Sequence, residues 1–193
     1  MKKFLALMTI VCMVLTASVA FAAFPSKTAE DLTQVGTVES TTGVEVDPTF
    51  AIVVAEPTEE INAEVEAMRE LVEAEQPLLT YFPEEVQQEV VAAMPETFDA
   101  NTAVAYEVVT VAAANYDETY GDVAAEFTFA TEFAEETKVV VLIGLPNAEG
   151  GMDWVVKSGV VVNGAVRIEF TKDELVLMQS ENALMVIMSA PIA

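Results

Sequence analysis

An acidic stretch near the middle of the chain has the composition of a calcium-binding loop. In "NYDETYGDVAAE", oxygen-bearing side chains alternate at Asn115, Asp117 and Thr119, and the stretch ends at Glu126. A helix–loop–helix calcium site needs oxygens at positions 1, 3 and 5, a glycine at position 6 and a bidentate glutamate at position 12. The oxygens and the glutamate fit, but Gly121 comes one position late, and strands are predicted on both sides.

Two interpretations of this stretch stay open. In the first, Asn115, Asp117 and Asp122 hold a calcium ion, and the protein is a calcium-dependent adhesion module. In the second, no cofactor is bound and the stretch is a strand-to-strand loop. Gly121 then adopts a positive φ, and Asn115 or Asp117 makes an Asx-turn. The late glycine and the flanking strands favour the loop.

Aromatic side chains in the same stretch are the candidates for ligand contact. Tyr116 and Tyr120 flank its acidic residues and are expected to be exposed, where their rings offer flat apolar faces. They support a second functional hypothesis, a carbohydrate-binding or carboxylate-based glycoside-acting protein. Trp154, in the apolar stretch "MDWVVK", is expected to lie in the core instead.

The residue types that carry most enzyme chemistry are missing. The chain has no histidine, and its single cysteine, Cys12, lies in the N-terminal apolar segment. An imidazole base and a zinc site of the ordinary type are therefore absent. No G-x-S-x-G motif or glycine-rich phosphate loop occurs. Paired carboxylates are the remaining chemistry. Because no acid is expected within an apolar stretch, we predict no catalytic residue and no enzyme activity.

The N-terminus has the features of a secretory signal peptide. Lys2 and Lys3 precede an apolar run from Phe4 to about Val19, and Ala20 and Ala22 fit the small-residue cleavage rule. The sequence therefore predicts cleavage after Ala22 and a secreted, extracellular protein. Cleavage removes the only cysteine, so the mature chain cannot form disulfides.

The charge of the chain is strongly negative. It has 32 acidic and 8 basic residues, a formal net charge of −24, and removal of the two signal-peptide lysines makes the mature charge −26. Nucleic acids and anionic membrane surfaces need clustered lysine and arginine, so neither is a predicted partner. We expect an extracellular protein or a glycan as partner.

Two helices and a series of short strands are predicted. Apolar residues recur at helical spacing in "TEEINAEVEAMRELVEAEQP" and "FPEEVQQEVVAAMPE", with Thr58 as N-cap of the first helix and Pro83 at the start of the second. After Asp99 the period changes to two, and Asn163-Gly164 indicates a hairpin turn. About seven strands are counted there, which predicts an α+β protein: a short strand at residues 50–54 and two helices, then an antiparallel immunoglobulin-like β-sandwich.

The predicted organisation has three parts. Residues 1–22 are the signal peptide, residues 23–98 an extended segment with a helical hairpin, and residues 99–193 the β-sandwich domain. "YFPEEVQQEVVAAMPE", "NYDETYGDVAAEFTFATEF", "MDWVVKSGVVVNGAVRIEF" and "ALMVIMSAPIA" form a layout over residues 60–193. It resembles that of small, acidic, signal-peptide-bearing secreted proteins of anaerobic Firmicutes. This resemblance implies secretion and no particular activity, so the first functional hypothesis is a non-enzymatic secreted or cell-surface-associated interaction module.

Overall fold

The computed structural model describes residues 34–96 and 98–190, which form eight strands and three α-helices. The predicted signal peptide and its cleavage site lie outside these residues. The strands are β1 (Gln34–Ser40), β2 (Ala51–Val54), β3 (Val104–Ala114), β4 (Val123–Thr128), β5 (Lys138–Pro146), β6 (Met152–Val160), β7 (Val166–Phe170) and β8 (Ala183–Ser189), and the helices are α1 (Glu59–Glu73), α2 (Glu84–Ala93) and α3 (Lys172–Ser180).

The strands form two antiparallel sheets. A three-stranded sheet has the order β1-β4-β7, and a five-stranded sheet has the order β2-β3-β8-β5-β6. One core joins the inner faces of both sheets, and a second joins α1 and α2 to the other face of the larger sheet. The coarse prediction, an α+β protein with a sandwich-like pair of antiparallel sheets, is confirmed.

The core between the sheets follows the alternation that the sequence predicts for β4 and β7. Phe127 and Phe170 are fully buried, whereas Glu126, Arg167 and Glu169 are exposed on the outer face. In β8 every residue is buried, because the helices cover one face of the larger sheet and the smaller sheet covers the other. This explains why β8 is continuously apolar while β4 and β7 alternate.

The two predicted helices are confirmed and form a layer on the larger sheet. Ile61 and Met68 of α1 and Val86 and Val90 of α2 are buried in the second core. The Thr58 hydroxyl accepts a hydrogen bond from the amide of Ile61, which caps α1 as predicted. Pro83 lies at the N-cap of α2, one position before the predicted site.

The third helix closes one end of the core between the sheets. Thr171 and Glu174 form a capping box at the start of α3, in which each side chain accepts a hydrogen bond from the other residue's backbone amide. Leu175 and Met178 are fully buried among residues from both sheets. The helix predicted in "TKDELVLMQSE" is therefore present and amphipathic.

The predicted Asn163-Gly164 turn is confirmed as the link between the two sheets. Both residues have positive φ, 53° and 76°, as a type I′ turn requires, and Val162 and Ala165 bridge across it. The backbone amides of Asn163 and Gly164 also donate to the Glu135 carboxylate, each at 3.0 Å. Beyond the turn the strands separate, because β6 joins the larger sheet and β7 the smaller one.

The N-terminal strands join the same sheets as the later ones. β1 falls in the segment interpreted as an extended lead-in, and it pairs with β4, while β2 pairs with β3. Both sheets therefore include strands from each side of the domain boundary predicted between residues 98 and 99. Within residues 99–190 there are six strands rather than seven, because the predicted strands "DWVVK" and "GVVV" are one strand, whose pairing with β5 continues through Ser158 and Gly159.

Gly159 lies where β6 passes close to a buried side chain of β7. A Cβ at this residue would lie 2.3 Å from Cγ1 of Val166, which is fully buried and cannot move away freely. We expect Gly159→Ala to lower the free energy of unfolding by about 1–3 kcal/mol through overpacking. Urea denaturation measures this change.

Gly36 in β1 provides the matched control. A Cβ there would meet Glu126 atoms at 3.6 Å and 3.7 Å, which is ordinary van der Waals contact. Gly36→Ala should change the free energy of unfolding by less than about 0.5 kcal/mol. Adding Val166→Ala to Gly159→Ala should restore part of the lost stability. Wild-type stability in Gly159→Ala alone would contradict the close approach.

Candidate functional site

The predicted calcium stretch lies in the loop between β3 and β4. The side chain of its first residue forms a hydrogen bond with the backbone of another loop. Asn115 follows the end of β3 and has a φ of 59°. Its side-chain amide donates to the carbonyl oxygen of Thr49 at 2.9 Å. Asn115 therefore anchors the loop that precedes β2.

Asp117 makes the predicted Asx-turn. Its Oδ1 accepts a hydrogen bond from the Thr119 amide at 2.8 Å and so begins a single 3₁₀ turn, Glu118–Tyr120. Hydrogen bonds from the Thr119 hydroxyl and amide lower the pKa of the Asp117 carboxyl. Gly121 ends the turn with a φ of 65°, as the loop interpretation requires.

The remaining acids of the stretch contact α3 or solvent. Asp122 accepts a hydrogen bond from the Lys172 amide at 2.8 Å, and Glu118 forms an ion pair with the Lys172 ammonium at 2.6 Å. Glu126 lies on the outer face of β4. Within residues 34–96 and 98–190, no three acidic side chains converge closely enough to hold a metal ion. The oxygens that the calcium hypothesis needs are thus engaged in separate contacts.

This arrangement predicts how the protein responds to calcium. Calcium should raise the melting temperature of residues 23–193 no more than magnesium does at the same ionic strength, because both ions only screen the large negative charge. Thermal unfolding in each salt and in EDTA measures this. A rise of several degrees that is specific to calcium would support the calcium-dependent adhesion hypothesis instead.

Tyr116 is buried, contrary to the expectation that it is exposed for ligand contact. Its exposed fraction is 6%, and its hydroxyl donates to the carbonyl oxygen of Gly121 at 2.7 Å. Its ring lies 5.5 Å from that of Phe50 and 6.1 Å from that of Tyr120, between centroids. Burial raises the pKa of the Tyr116 hydroxyl. Tyr116 lies in a loop that is polar in sequence, and the sequence did not show that Phe50 packs beneath its ring. Tyr120 lies beside Tyr116 and is half-buried.

Two buried acids were missed from the sequence. Glu107 in β3 is 1% exposed and accepts a hydrogen bond from the Thr131 amide at 2.8 Å, and Glu174 in α3 is 8% exposed. The expectation that no acid lies in an apolar stretch is therefore wrong. The signal was present for Glu107, since it occupies an inward position in the apolar strand "VAYEVVTVAAA".

Glu174 forms the most buried ion pair of the described residues. The Lys157 ammonium lies 2.7 Å and 2.9 Å from its two carboxylate oxygens. The two side chains keep only 18% and 9% of their surface exposed. Lys157 pairs in register with Val141, on the inner face of the larger sheet, and neighbouring Ser158 pairs with Val140, on the helical face. Ser158 and Lys157 thus point to opposite faces, as expected.

A groove of about 550 Å³ lies at the N-terminal end of α1. Carboxylates from α1 and from the turn before β8 line it together with two side-chain amides: Glu60, Glu64, Glu181, Asn147 and Asn182. Aromatic rings lie behind it, where the Tyr81 hydroxyl donates to Glu64 and the Tyr81 ring lies 6.4 Å from that of Trp154. Trp154 itself packs against the second core, as expected.

Burial raises the pKa of Glu64 above its ordinary value. Because the folded state then holds the proton more tightly than the unfolded state, the ionised carboxylate opposes folding at neutral pH, and this cost disappears as the pH falls through the raised pKa. Glu64→Gln keeps an acceptor for Tyr81. We expect it to raise the melting temperature at pH 7 by on the order of 1–2 °C and to have no effect below about pH 4.

Glu89→Gln is the control for this prediction, since it removes the same charge from an exposed position on α2. A general effect of removing one negative charge would raise the melting temperature of both variants. An equal rise in the two melting temperatures would contradict a specific effect of burial at Glu64.

The outer surface of the helical layer is uniformly acidic. Arg69 is the only basic residue in residues 56–96. The same segment contains twelve acids, of which all but the half-buried Glu64 are exposed: Glu56, Glu59, Glu60, Glu64, Glu66, Glu70, Glu73, Glu75, Glu84, Glu85, Glu89 and Glu96. The helices thus bury apolar side chains on the sheet and present carboxylates to solvent.

No protein family, curated protein or solved structure matches this chain. The resemblance in layout to small acidic secreted proteins of anaerobic Firmicutes therefore stays a prediction. Across the part of the chain that the structure describes, no helix has the length and hydropathy to span a bilayer.

Proposed function

We propose that the protein is a non-enzymatic interaction module that acts outside the cytoplasm, secreted or associated with the cell surface, and that binds a cationic partner through its helical layer. One observation carries the proposal: eleven exposed carboxylates and a single basic residue, Arg69, occupy one layer of the fold. The signal-peptide pattern supports the location. An immunoglobulin-like sandwich stays a prediction, and the proposal needs only the two packed sheets.

The chemistry of this layer favours a basic protein surface or peptide as partner. Most of its carboxylates are free to form new ion pairs, since Glu66 is the residue that pairs with Arg69. Complementary charge accelerates encounter and disfavours partners of the same sign. A nucleic acid or an anionic membrane surface would be repelled by this layer.

Binding of an oligolysine peptide to residues 23–193, measured by calorimetry at low and high salt, tests the proposal. We expect binding that weakens steeply as salt is added. Replacing Glu70, Glu73 and Glu85 on the helical layer with glutamine should weaken binding several-fold. Binding that is unchanged in this variant would exclude the helical layer as the contact surface.

The matched control removes three carboxylates elsewhere. Glu126, Glu132 and Glu169 are exposed residues of β4, the following loop and β7. Their replacement with glutamine changes the net charge equally and should leave the affinity nearly unchanged. An equal loss in both variants would mean that total charge, and not the helical layer, attracts the peptide.

The groove at the start of α1 favours carbohydrate binding as the second candidate. Planar carboxylate and amide groups, such as those of Glu60 and Asn182, suit hydrogen bonding to adjacent hydroxyl groups. Tyr81 contacts Glu64 of the groove through its hydroxyl, and its ring meets that of Trp154. A glycan array should then show binding that is lost in Glu60→Ala and insensitive to salt. Binding whose strength changes only with the salt concentration would favour the first candidate, the module that binds a cationic partner.

A further inference from the structure

The two sheets expose four edge strands, and three of them are short or irregular. β2 has four residues and lies between Pro48 and Pro57, and β7 has five residues. The pairing of β1 shifts in register between Val35 and Val38. Short strands, flanking prolines and bulges all hinder the addition of a strand from another molecule.

β6 is the exception among the edges. It has nine residues, Met152–Val160, and pairs with β5 without interruption over its whole length. Its other edge pairs with no strand among the described residues, and beside it runs a groove that Lys157 shares with Arg167 and Glu169 of β7. A long, regular and partly apolar edge of this kind is a template for pairing with a second copy of the same chain.

Lys157 places a charge at the middle of this edge. Its side chain points inward, on the same face as Val141 and Val155, which belong to the core between the sheets. The ammonium reaches Glu174 at the start of α3 and keeps 18% of the lysine side chain in contact with solvent. An inward-pointing charge on an edge strand is one of the devices that block edge-to-edge association.

We propose that Lys157, held in place by Glu174, prevents β6 from pairing with β6 of a second copy. A strand added at this edge would cover the gap between the sheets and remove the remaining water from the ammonium, which is costly even for a paired charge. In an antiparallel pair of identical strands, the two Lys157 side chains would also approach each other and repel. The pair therefore maintains the monomer, separately from any contribution to stability.

The test replaces the pair without breaking the helix cap. Lys157→Met with Glu174→Gln removes both charges, and glutamine can still serve in the capping box. The apparent mass of residues 23–193 is measured by light scattering over a wide range of concentrations, at low salt and at about 0.5 M salt to screen the net charge. We expect the variant to approach about twice the monomer mass as concentration rises, because paired edges close as a dimer, while the wild type stays monomeric.

Hydrogen exchange locates the contact. New protection in the variant dimer should be confined to residues 152–160. The control, Arg69→Met with Glu66→Gln, removes an exposed ion pair of the same charge types from α1 and should leave the protein monomeric. If the first variant does not fold, Lys157→Gln with Glu174→Gln provides the same charge change with polar side chains. A folded variant that stays monomeric in high salt, a control that dimerises equally, or protection outside β6 would overturn the proposal.

Discussion

Replacing Phe82 with alanine is expected to lower the free energy of unfolding by about 3–5 kcal/mol. Phe82 lies in the connection between α1 and α2 and is 2% exposed. Its ring meets those of Trp154 and Tyr81 edge to face, at centroid distances of 4.8 Å and 5.3 Å. Its removal leaves a cavity where the helical layer meets β6.

The fluorescence of Trp154 can follow unfolding at the contact between the helical layer and the larger sheet. Trp154 is the only tryptophan of the chain, so its fluorescence reports the contact between the helices and the sheet, while circular dichroism reports the whole fold. We expect the two signals to change together in urea, because β5 and β8 contribute one face to the second core and the other face to the core between the sheets. If fluorescence changes first, the helices unfold separately, which would support the boundary predicted at residues 98 and 99.

Val91→Ala is the control for Phe82→Ala. Val91 lies on the solvent side of α2 with 45% of its surface exposed. Alanine favours the helix slightly more than valine does. The free energy of unfolding should therefore change by less than about 0.5 kcal/mol. A similar loss in both variants would mean that any change in this layer destabilises it.

Lys157→Met alone is expected to destabilise the protein by about 3 kcal/mol, because it leaves the carboxylate of Glu174 buried without its cation. Glu174→Gln alone should cost less, since the long lysine side chain can turn its ammonium toward water. Adding Glu174→Gln to Lys157→Met should recover most of the lost stability. Chemical denaturation of the two single variants and the double variant measures these differences.

The coupling between the two changes is the informative quantity. If the double variant loses the sum of the two single losses, the side chains do not interact energetically, despite the distances of 2.7 Å and 2.9 Å. If the double variant loses much less than this sum, each charge stabilises the other at this buried position.

The parts of the fold that could be predicted from the sequence are those with strong local signals. α1 and α2 have apolar residues at helical spacing and end near prolines, and the Asn163-Gly164 turn depends on two adjacent residues that tolerate positive φ. β1 lacks such a signal, because its two valines are separated by a register shift and by small residues, and its partner β4 is distant in the sequence. Sequence patterns report local periodicity, whereas strand pairing depends on distant residues.

The candidate site shows the same limit. The Asx-turn at Asp117 and the positive φ of Gly121 were predicted correctly because both are local. The burial of Tyr116 depends on Phe50, which is distant in sequence, and the burial of Glu174 in α3 depends on Lys157 in β6. Contacts of this kind assign a side chain to the core or to a surface only once the topology is known.

The position of β8 has a consequence for how the protein is made. Among the described strands β8 comes last along the chain, yet it is the central strand of the larger sheet and separates β3 from β5. Until it arrives, the larger sheet is divided into two incomplete parts, and both cores lack residues from their middle. The larger sheet and the two cores therefore cannot be completed before β8 has been synthesised. A substitution that weakens β8 should therefore disturb both cores at once, and not one layer of the protein alone.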